Sequence, residues 1–538
     1  MSAPRHNLRE RKSVNPVTRT AQEDASLQSS MPNGIASSGT SSGTSTPIPQ
    51  DAPPSIVATS SARKERRAEH RRLFPTIDYE PRVSHFDPAS QYTDFRGFFV
   101  LFWIGLAIMV ITTALRNVRD FGYPLSMRQR DTFTRNVWEM GITDLVMASS
   151  TALNLLLHLC YKNGPSILHW NKLGRWIQCV FQLVWLTFWT SWPFIRDWTW
   201  TAQVFFTLHL LALFMKIHSY AFYNGHLAVT LKRLNDLDHP SESTDKKAAV
   251  KYPSSHTHLS EIVQEQEQAE KDAVRRSSVG HLRQELASEL VSPLGGVIYP
   301  HNLTLRNYID YLCCPTLCYE IEYPRTTNRS WMEIFYKTLA VFGCVFLLIV
   351  ISDEFIIPTL DESAYRLQHQ QNWQDGALIF AETVSRMLWP FMLIFLLVFL
   401  VIFEYLCGAF AEITMFADRQ FYSDWWNSST WLEFSREWNI PVHNFFRRHV
   451  YSASRTTMSR PVATFITFLI SSLAHELVMG CITRKFRGYG FVAMMMQMPI
   501  VLVQSSAMMR DRKLLNNVLF WCSMVLGLSV ICALYVLV

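Results

Sequence analysis

The 538-residue chain lacks the marks of several functional classes. Its ten cysteines (Cys160, Cys179, Cys313, Cys314, Cys318, Cys344, Cys407, Cys481, Cys522 and Cys532) form no C-x-x-C pair with distant partners. Most lie in apolar runs, where a thiol behaves as a small buried hydrophobe, so neither a disulfide framework nor a metal site is expected. No P-loop or dinucleotide fingerprint occurs, which argues against a nucleotide-hydrolysing pump. A net charge of +6 is too weak to point to nucleic acid. There is no evident repeat, and no inverted symmetry of the kind that marks many transporters. The opening MSAPRHNLRERK has no apolar core, so no cleaved signal peptide is expected and the first crossing acts as the membrane signal.

What is present is long apolar runs. A mean hydropathy of +0.06 averages these with polar stretches. Runs near Phe98–Leu115, Ile142–Tyr161, Trp176–Ile195, Thr201–Tyr220, Phe335–Ile357, Leu378–Phe403, Ala463–Ile482, Gly490–Met508 and Val518–Val538 approach the ~20 residues a helix needs to cross hydrocarbon. Their continuity, without period-two alternation, predicts an all-α polytopic helix bundle of about nine crossings. Residues 1–95, rich in Ser, Pro and basic side chains, read as a disordered tail, and residues 96–538 as the membrane domain with a polar insert at about 234–291. The basic runs at 63–67 and 71–72 favour a cytosolic amino terminus, the alternative being a merely solvated charge run. The sequons at Asn302, Asn328 and Asn427 are expected to be unused.

Polar groups inside apolar helices are the sharpest clue, because each needs a partner or a cavity. In TFLISSLAHELVMG, His475 shares a helix face with Ser471 and Met479, while Glu476 points about 100° away. A neutral imidazole can accept and return a proton, as acyl transfer to an alcohol requires. The bland alternative is a histidine that only bonds neighbouring helices. Upstream, FYSDWWNSSTWLEFSREWN holds more aromatics than an interfacial belt explains. A surface of Trp rings beside Arg436, Arg447, Arg448 and Arg460 would suit a ligand with a flat base and phosphates, such as coenzyme A.

FADRQFYSDWWNSSTW resembles the FYxDWWN signature of the acyl-CoA:cholesterol and diacylglycerol acyltransferase branch of the membrane-bound O-acyltransferases. EWNIPVHNFFRRHVY and SSLAHELVMG resemble the next two blocks, and MKIHSYAFYNG and YLCCPTLCYEIEYPRT two earlier ones, in order. The resemblance covers about His209 to Val538, and PVHNFFRRHVY, the QMP stretch and the Ser-rich tail look most like fungal sterol O-acyltransferases.

It implies a multi-pass endoplasmic-reticulum enzyme that joins a fatty acyl group from acyl-CoA to a sterol, without metal or bound cofactor, as a homodimer or homotetramer. The catalytic histidine of the family falls on His475, with Asn439 beside it. Phe421, Tyr422, Asp424, Trp425, Trp426, Asn427, Trp438, His443, Tyr451 and Ser471 are implied to form the acyl-CoA site. Gln497 and Gln504 are both candidates for a late polar residue.

The expected chemistry is direct transfer. His475 takes the proton of the sterol 3-hydroxyl while Asn439 orients the acyl carbonyl or holds charge on its oxygen. No cysteine shares the face of His475, so a covalent acyl-enzyme is not expected. Two other readings stand: diacylglycerol as acceptor, since the signature is common to both branches, and a non-catalytic sterol or acyl-CoA sensor or transporter. For Asn439 the alternative is a turn cap.

Overall fold

The computed structural model describes residues 74–538 apart from 76, 78, 88–89, 91–95, 125–134, 239–279, 281 and 511. Helices account for the architecture, and the described residues contain isolated bridges instead of sheet. Among the described residues, seven helical stretches are long and apolar enough to cross a membrane. They begin with α1 (Arg96–Phe121), then the pair α2 (Val137–Ser150) and α3 (Leu153–Asn163). After α4 (Arg175–Ile195) come α5 (Trp200–Asp238), the short α6 (Leu305–Cys313), α7 (Trp331–Ile351), α8 (Ile357–Gln368), α9 (Trp373–Phe399) and α10 (Gly408–Thr414). The last two crossings are α13 (Arg460–Thr483) and α16 (Lys513–Leu537).

The sequence dictates these ends locally. Ser330 caps α7 by accepting from Glu333 N in an S-x-x-E arrangement, and Thr304 caps α6 through Asn307 N. In α1, Phe98, Leu101, Ile104, Ile108, Ile111 and Leu115 form an exposed stripe at helical spacing, while Leu106, Thr113 and Asn117 face inward. An apolar stripe of that length on the outer surface is what lipid would cover.

Two of the nine expected crossings are not among these seven. The run Trp176–Ile195 does form α4, but its four tryptophans and two buried glutamines, Gln178 and Gln182, leave it short of the apolarity of the seven. The run Gly490–Met508 breaks into α14 (Tyr489–Met495), α15 (Gln497–Gln504) and a last turn at Ala507–Arg510, none long enough to cross.

The expected tail also needs correction where it is described. Residues 74–87 form a strap across the membrane domain: Phe74 is buried, Tyr79 bonds Thr316 at 2.6 Å, and Arg82 makes a bidentate pair with Asp418. Residues 1–73 and most of the expected insert, 239–279, lie outside the described residues. Asn302 is buried, with its amide donating to Asn224 and Tyr319, so this sequon is closed to a glycan.

The largest core cluster is built from tyrosines of α5 and α6 and the loop after them, Tyr220, Tyr223, Tyr308, Tyr311, Tyr319 and Tyr323. The aromatic segment that begins at Phe421 joins the same cluster.

Candidate active site

Between α9 and α13 the chain changes character three times. A π-helical stretch, Leu400–Cys407, extends α9. The loop 415–430 follows, with a single 3-10 turn at Trp425–Asn427, then α11 (Trp431–Glu437) and α12 (Ile440–Phe445). A second π-helical stretch, Phe446–Ser452, carries α12 toward α13.

The first half of the signature is architecture. Phe421, Tyr422 and Trp425 are buried. Phe421 O accepts from Ile440 N at 3.0 Å and Ser423 N donates to Glu437 O at 2.9 Å, so residues 421–423 bracket Trp438 and Asn439 with two backbone bonds. Trp438 is stacked on Phe395 (4.4 Å) and Phe434 (5.4 Å), with Trp425 edge-on at 4.8 Å. The faces of Trp438 are therefore not open to a flat base, because other rings already cover them. Truncating a side chain as buried as Trp425 would cost roughly 3–5 kcal/mol.

The Tyr422 hydroxyl donates to Glu404 Oε2 (3.2 Å), which also accepts from Ser84 Oγ (2.5 Å). Lys337 Nζ lies 3.3 Å from the other carboxylate oxygen. Burial, and then the neighbouring Glu404, raise the Tyr422 pKa, so the phenol stays a donor.

The second half of the signature is open. Asp424 is half-buried and bonded to Ser423 and Asn427, Asn427 is exposed, and Trp426 is half-buried beside Tyr422 and His85. Asp424 and Asn427 line a pocket of about 570 Å³ with Glu433, Glu437 and Lys513. Burial holds the Glu437 carboxyl above its usual range. Three carboxylates make this pocket a poor seat for phosphates.

The charge around His443 is of the opposite sign. The pKa of this histidine is depressed first by burial, then by the charges of Arg436 and Arg447. Both arginines are exposed and have no ion-pair partner among the described residues. Arg448, expected among the phosphate-binding arginines, is instead fully buried against Glu320 at 2.7 Å and over the Tyr223 ring. Tyr451 is half-buried on the same π-helical stretch, and Arg460 is exposed at the start of α13.

Asn439 is the N-cap of α12, its Oδ1 accepting from Val442 N at 3.1 Å, with Pro441 in the first turn. The cap fixes the amide plane. Its Nδ2 has no partner among the described residues and remains a free donor.

α13 packs against α5, α14 and the π-helical stretch Phe446–Ser452. His475 is exposed to solvent-sized contact although it lies mid-helix, and so is Leu473. Two residues apart on a helix means about 200°, so α13 is open on opposite sides. One side presents Leu473 with Ile470, apolar and lipid-compatible; the other presents the imidazole. The His475 Nδ1 lies 2.8 Å from the carbonyl oxygen of Ser471, which can only accept. Nδ1 therefore carries the proton and Nε2 is left with a lone pair. Ser471 itself is half-buried and meets the imidazole through its backbone carbonyl.

Glu476 faces elsewhere, as its position one residue on requires. It accepts from Gly488 N, Phe491 N and the Tyr535 hydroxyl, and so holds the start of α14 and α16. Gln504 is buried and accepts from Trp431 N, whereas Gln497 contacts Met494. Sequence reasoning passed over Glu404, although a lone carboxylate in LLVFLVIFEYLC was a signal to look there. Ser84 gave no signal.

Residues 181–537 match the membrane-bound O-acyltransferase family, and the match takes in every signature block after residue 180. The chain belongs to this family. It is an acyltransferase whose relatives fall in one branch. A Schizosaccharomyces pombe protein described as "Probable sterol O-acyltransferase 2" is 38% identical over 87% of this chain and 93% of its own length. Sterol O-acyltransferase 2 of Candida albicans is 32% identical over 86% of this acyltransferase and 78% of its own length. Diacylglycerol O-acyltransferase 1 of Dictyostelium discoideum matches at 30% over only 46% and 39%. Among the described residues no group of three or more His, Cys, Asp or Glu is arranged to hold a metal.

Proposed function

We propose that this acyltransferase joins a fatty acyl group from acyl-CoA to the 3-hydroxyl of a sterol, releasing steryl ester and coenzyme A. The observation that carries the reading is the orientation of His475, proton on Nδ1 and bare Nε2 on the side of α13 away from Leu473. The acceptor is read from the sterol names of relatives that match along most of their length, against a partial match to the diacylglycerol enzyme.

In the proposed step, His475 Nε2 takes the hydroxyl proton as the sterol oxygen attacks the thioester carbonyl. The carbon–sulfur bond then breaks, and the imidazolium returns the proton to the coenzyme A sulfur. Such general-base assistance contributes about 10²–10⁴. Asn439 Nδ2 donates to the carbonyl oxygen as charge gathers there, a contribution of about 10²–10³. Phosphates of the coenzyme A portion sit at Arg436, His443 and Arg447. Trp426, Asp424, Asn427 and Tyr451 flank the entry, while Phe421, Tyr422, Trp425 and Trp438 act from the core by holding its backbone.

The reading extends to an endoplasmic-reticulum membrane, a cytosolic amino terminus and a homodimer or homotetramer; the residues that resemble the family support the first and last, the basic runs the second.

The test is product analysis with purified protein, labelled oleoyl-CoA and either a sterol or diacylglycerol, with His475→Ala in parallel. Steryl ester from the parent and none from the folded variant supports the proposal. Triacylglycerol instead would move the acceptor, and no ester from either would leave a protein that binds lipids without joining them.

A further inference from the structure

The strap at 74–87 touches the membrane domain through rings, the Tyr79–Thr316 hydrogen bond, two backbone bonds of Arg82 to residues 417 and 419 and the half-buried Arg82–Asp418 pair, and at Ser84 it enters a buried polar site. Ser84 Oγ and the Tyr422 hydroxyl lie 3.0 Å apart, and both donate to the same oxygen of Glu404, itself nine-tenths buried. Lys337 balances the carboxylate charge from the other side and also reaches its backbone carbonyl. Three chain segments thus meet on one carboxylate.

This meeting bears on the transfer site because of what flanks Tyr422. Its neighbours Phe421 and Ser423 are the two residues whose backbones bond Ile440 and Glu437. Asn439 sits between those partners, with its amide plane fixed by the α12 cap. A shift of the Tyr422 backbone would carry the 437–440 segment with it. Phe86, two residues along the strap, adds ring contacts to Tyr422 (6.1 Å) and Trp426 (6.4 Å).

We propose that Ser84 is a positioning residue for acyl transfer, by which the amino-terminal strap sets Asn439 through Glu404, Tyr422 and the backbone bonds that bracket Trp438 and Asn439. This inference rests on the role given to Asn439 above. Ser84 touches no substrate. Its hydroxyl keeps the Tyr422 phenol and the Glu404 carboxylate in one geometry, and loss of that hydroxyl leaves the carboxylate one donor short in a buried place.

The test is steady-state ester formation by full-length, detergent-purified Ser84→Ala, Ser84→Thr, Tyr422→Phe and the Ser84→Ala/Tyr422→Phe double variant, per mole of monodisperse enzyme. Displacement of a transition-state donor by a fraction of an ångström to about 1 Å predicts a fall of about 10- to 100-fold in kcat for Ser84→Ala. The KM for acyl-CoA should stay within about two-fold of the parent, since the interaction lost is one made in the transition state. Ser84→Thr, which keeps the hydroxyl, should recover most of the rate. Because Ser84→Ala and Tyr422→Phe cut the same link, the double variant should be no slower than the slower single one.

Parent-like kcat in Ser84→Ala, a loss confined to KM, no recovery with threonine, or losses that multiply in the double variant would each overturn the proposal. So would failure of both single alanine and phenylalanine variants to yield folded enzyme, which would assign the hydroxyls to stability alone. A parent that esterifies diacylglycerol instead of sterol would refute only the sterol reading, and the same variants would be read on that product. A parent that forms no ester would sink both.

Discussion

Removing the imidazole of His475 should abolish product with little damage to the fold, because its hydrogen bond to protein is a turn of its own helix. A loss of about 10²–10⁴ in turnover with an unchanged melting temperature is expected. Asn439 allows a sharper separation of roles. Asn439→Asp keeps an oxygen to cap α12 but loses the Nδ2 donor, whereas Asn439→Ala loses both. Both should fall about 10²–10³ in kcat, while only the alanine variant should lose the roughly 0.5–2 kcal/mol of the cap, measurable as thermal stability in detergent. Equal destabilisation of the two would mean the cap is not fixing the amide.

Histidine 449 gives a pH signature at the same scale. It is buried among Phe74, Phe445 and His218, shares a hydrogen bond of 2.8 Å between Nε2 and the Ser219 hydroxyl, and sits beside the Arg448 charge. Burial, His218 and Arg448 hold its pKa well below the ordinary value, and His443 is lowered in the same direction. The folded state thus prefers neutral rings. That stability is complete above the unfolded value of about 6.5 and is lost as pH falls from there toward the folded values. The melting temperature of the parent should therefore drop on acidification below about pH 6.5 more steeply than that of His449→Gln.

Among the elements, the start of α14 depends on a carboxylate from α13. Glu476→Ala removes the acceptor for two backbone N–H groups and the Tyr535 hydroxyl, and should cost about 2–3 kcal/mol, with Glu476→Gln retaining part of it. The turnover of surviving enzyme should change far less than its stability. The arginines of α11 and the π-helical stretch before α13 should behave oppositely. Arg436→Ala and Arg447→Ala should each raise the KM for acyl-CoA about ten-fold or more without altering melting, because neither guanidinium has an ion-pair partner among the described residues.

The π-helical stretches explain where sequence reading stopped at this scale. Ser352–Ile356 carries buried Asp353, Leu400–Cys407 carries Glu404, and Phe446–Ser452 carries Arg448 and His449. A widened turn rotates the residues after it by about 100° relative to an ideal helix, and nothing in the local composition marks the extra residue. Arg448 therefore read as a surface cation, whereas the widened turn delivers it to Glu320 in the core.

At the scale of the whole molecule, the apolar helices were legible because twenty residues of unbroken hydrocarbon compatibility admit few other structures. His475 was legible for the converse reason, a polar group where none is free to sit. The two expected crossings that fall outside the seven are those with polar or Pro interruptions, Gln178 and Gln182 in α4 and Gln497, Pro499 and Gln504 in α14–α15. The strap was missed because its contacts are long-range: Tyr79, Arg82 and Ser84 acquire meaning only from Thr316, Asp418 and Glu404. Truncations should locate the boundary between tail and domain. A chain lacking residues 1–73 should retain ester formation, while one lacking residues 1–87 should lose it together with thermal stability.

The strap is also synthesised well before its partners, since the groups that receive it come 320 to 338 residues later. At about 5–20 residues per second, Ser84 waits roughly 15–70 s for Glu404 and Tyr422 to emerge. During that interval every apolar helix up to α9 has already been handed to the membrane, so closure of the strap is an event that follows their insertion, and the carboxylate that receives Ser84 is reached only after five crossings have been made.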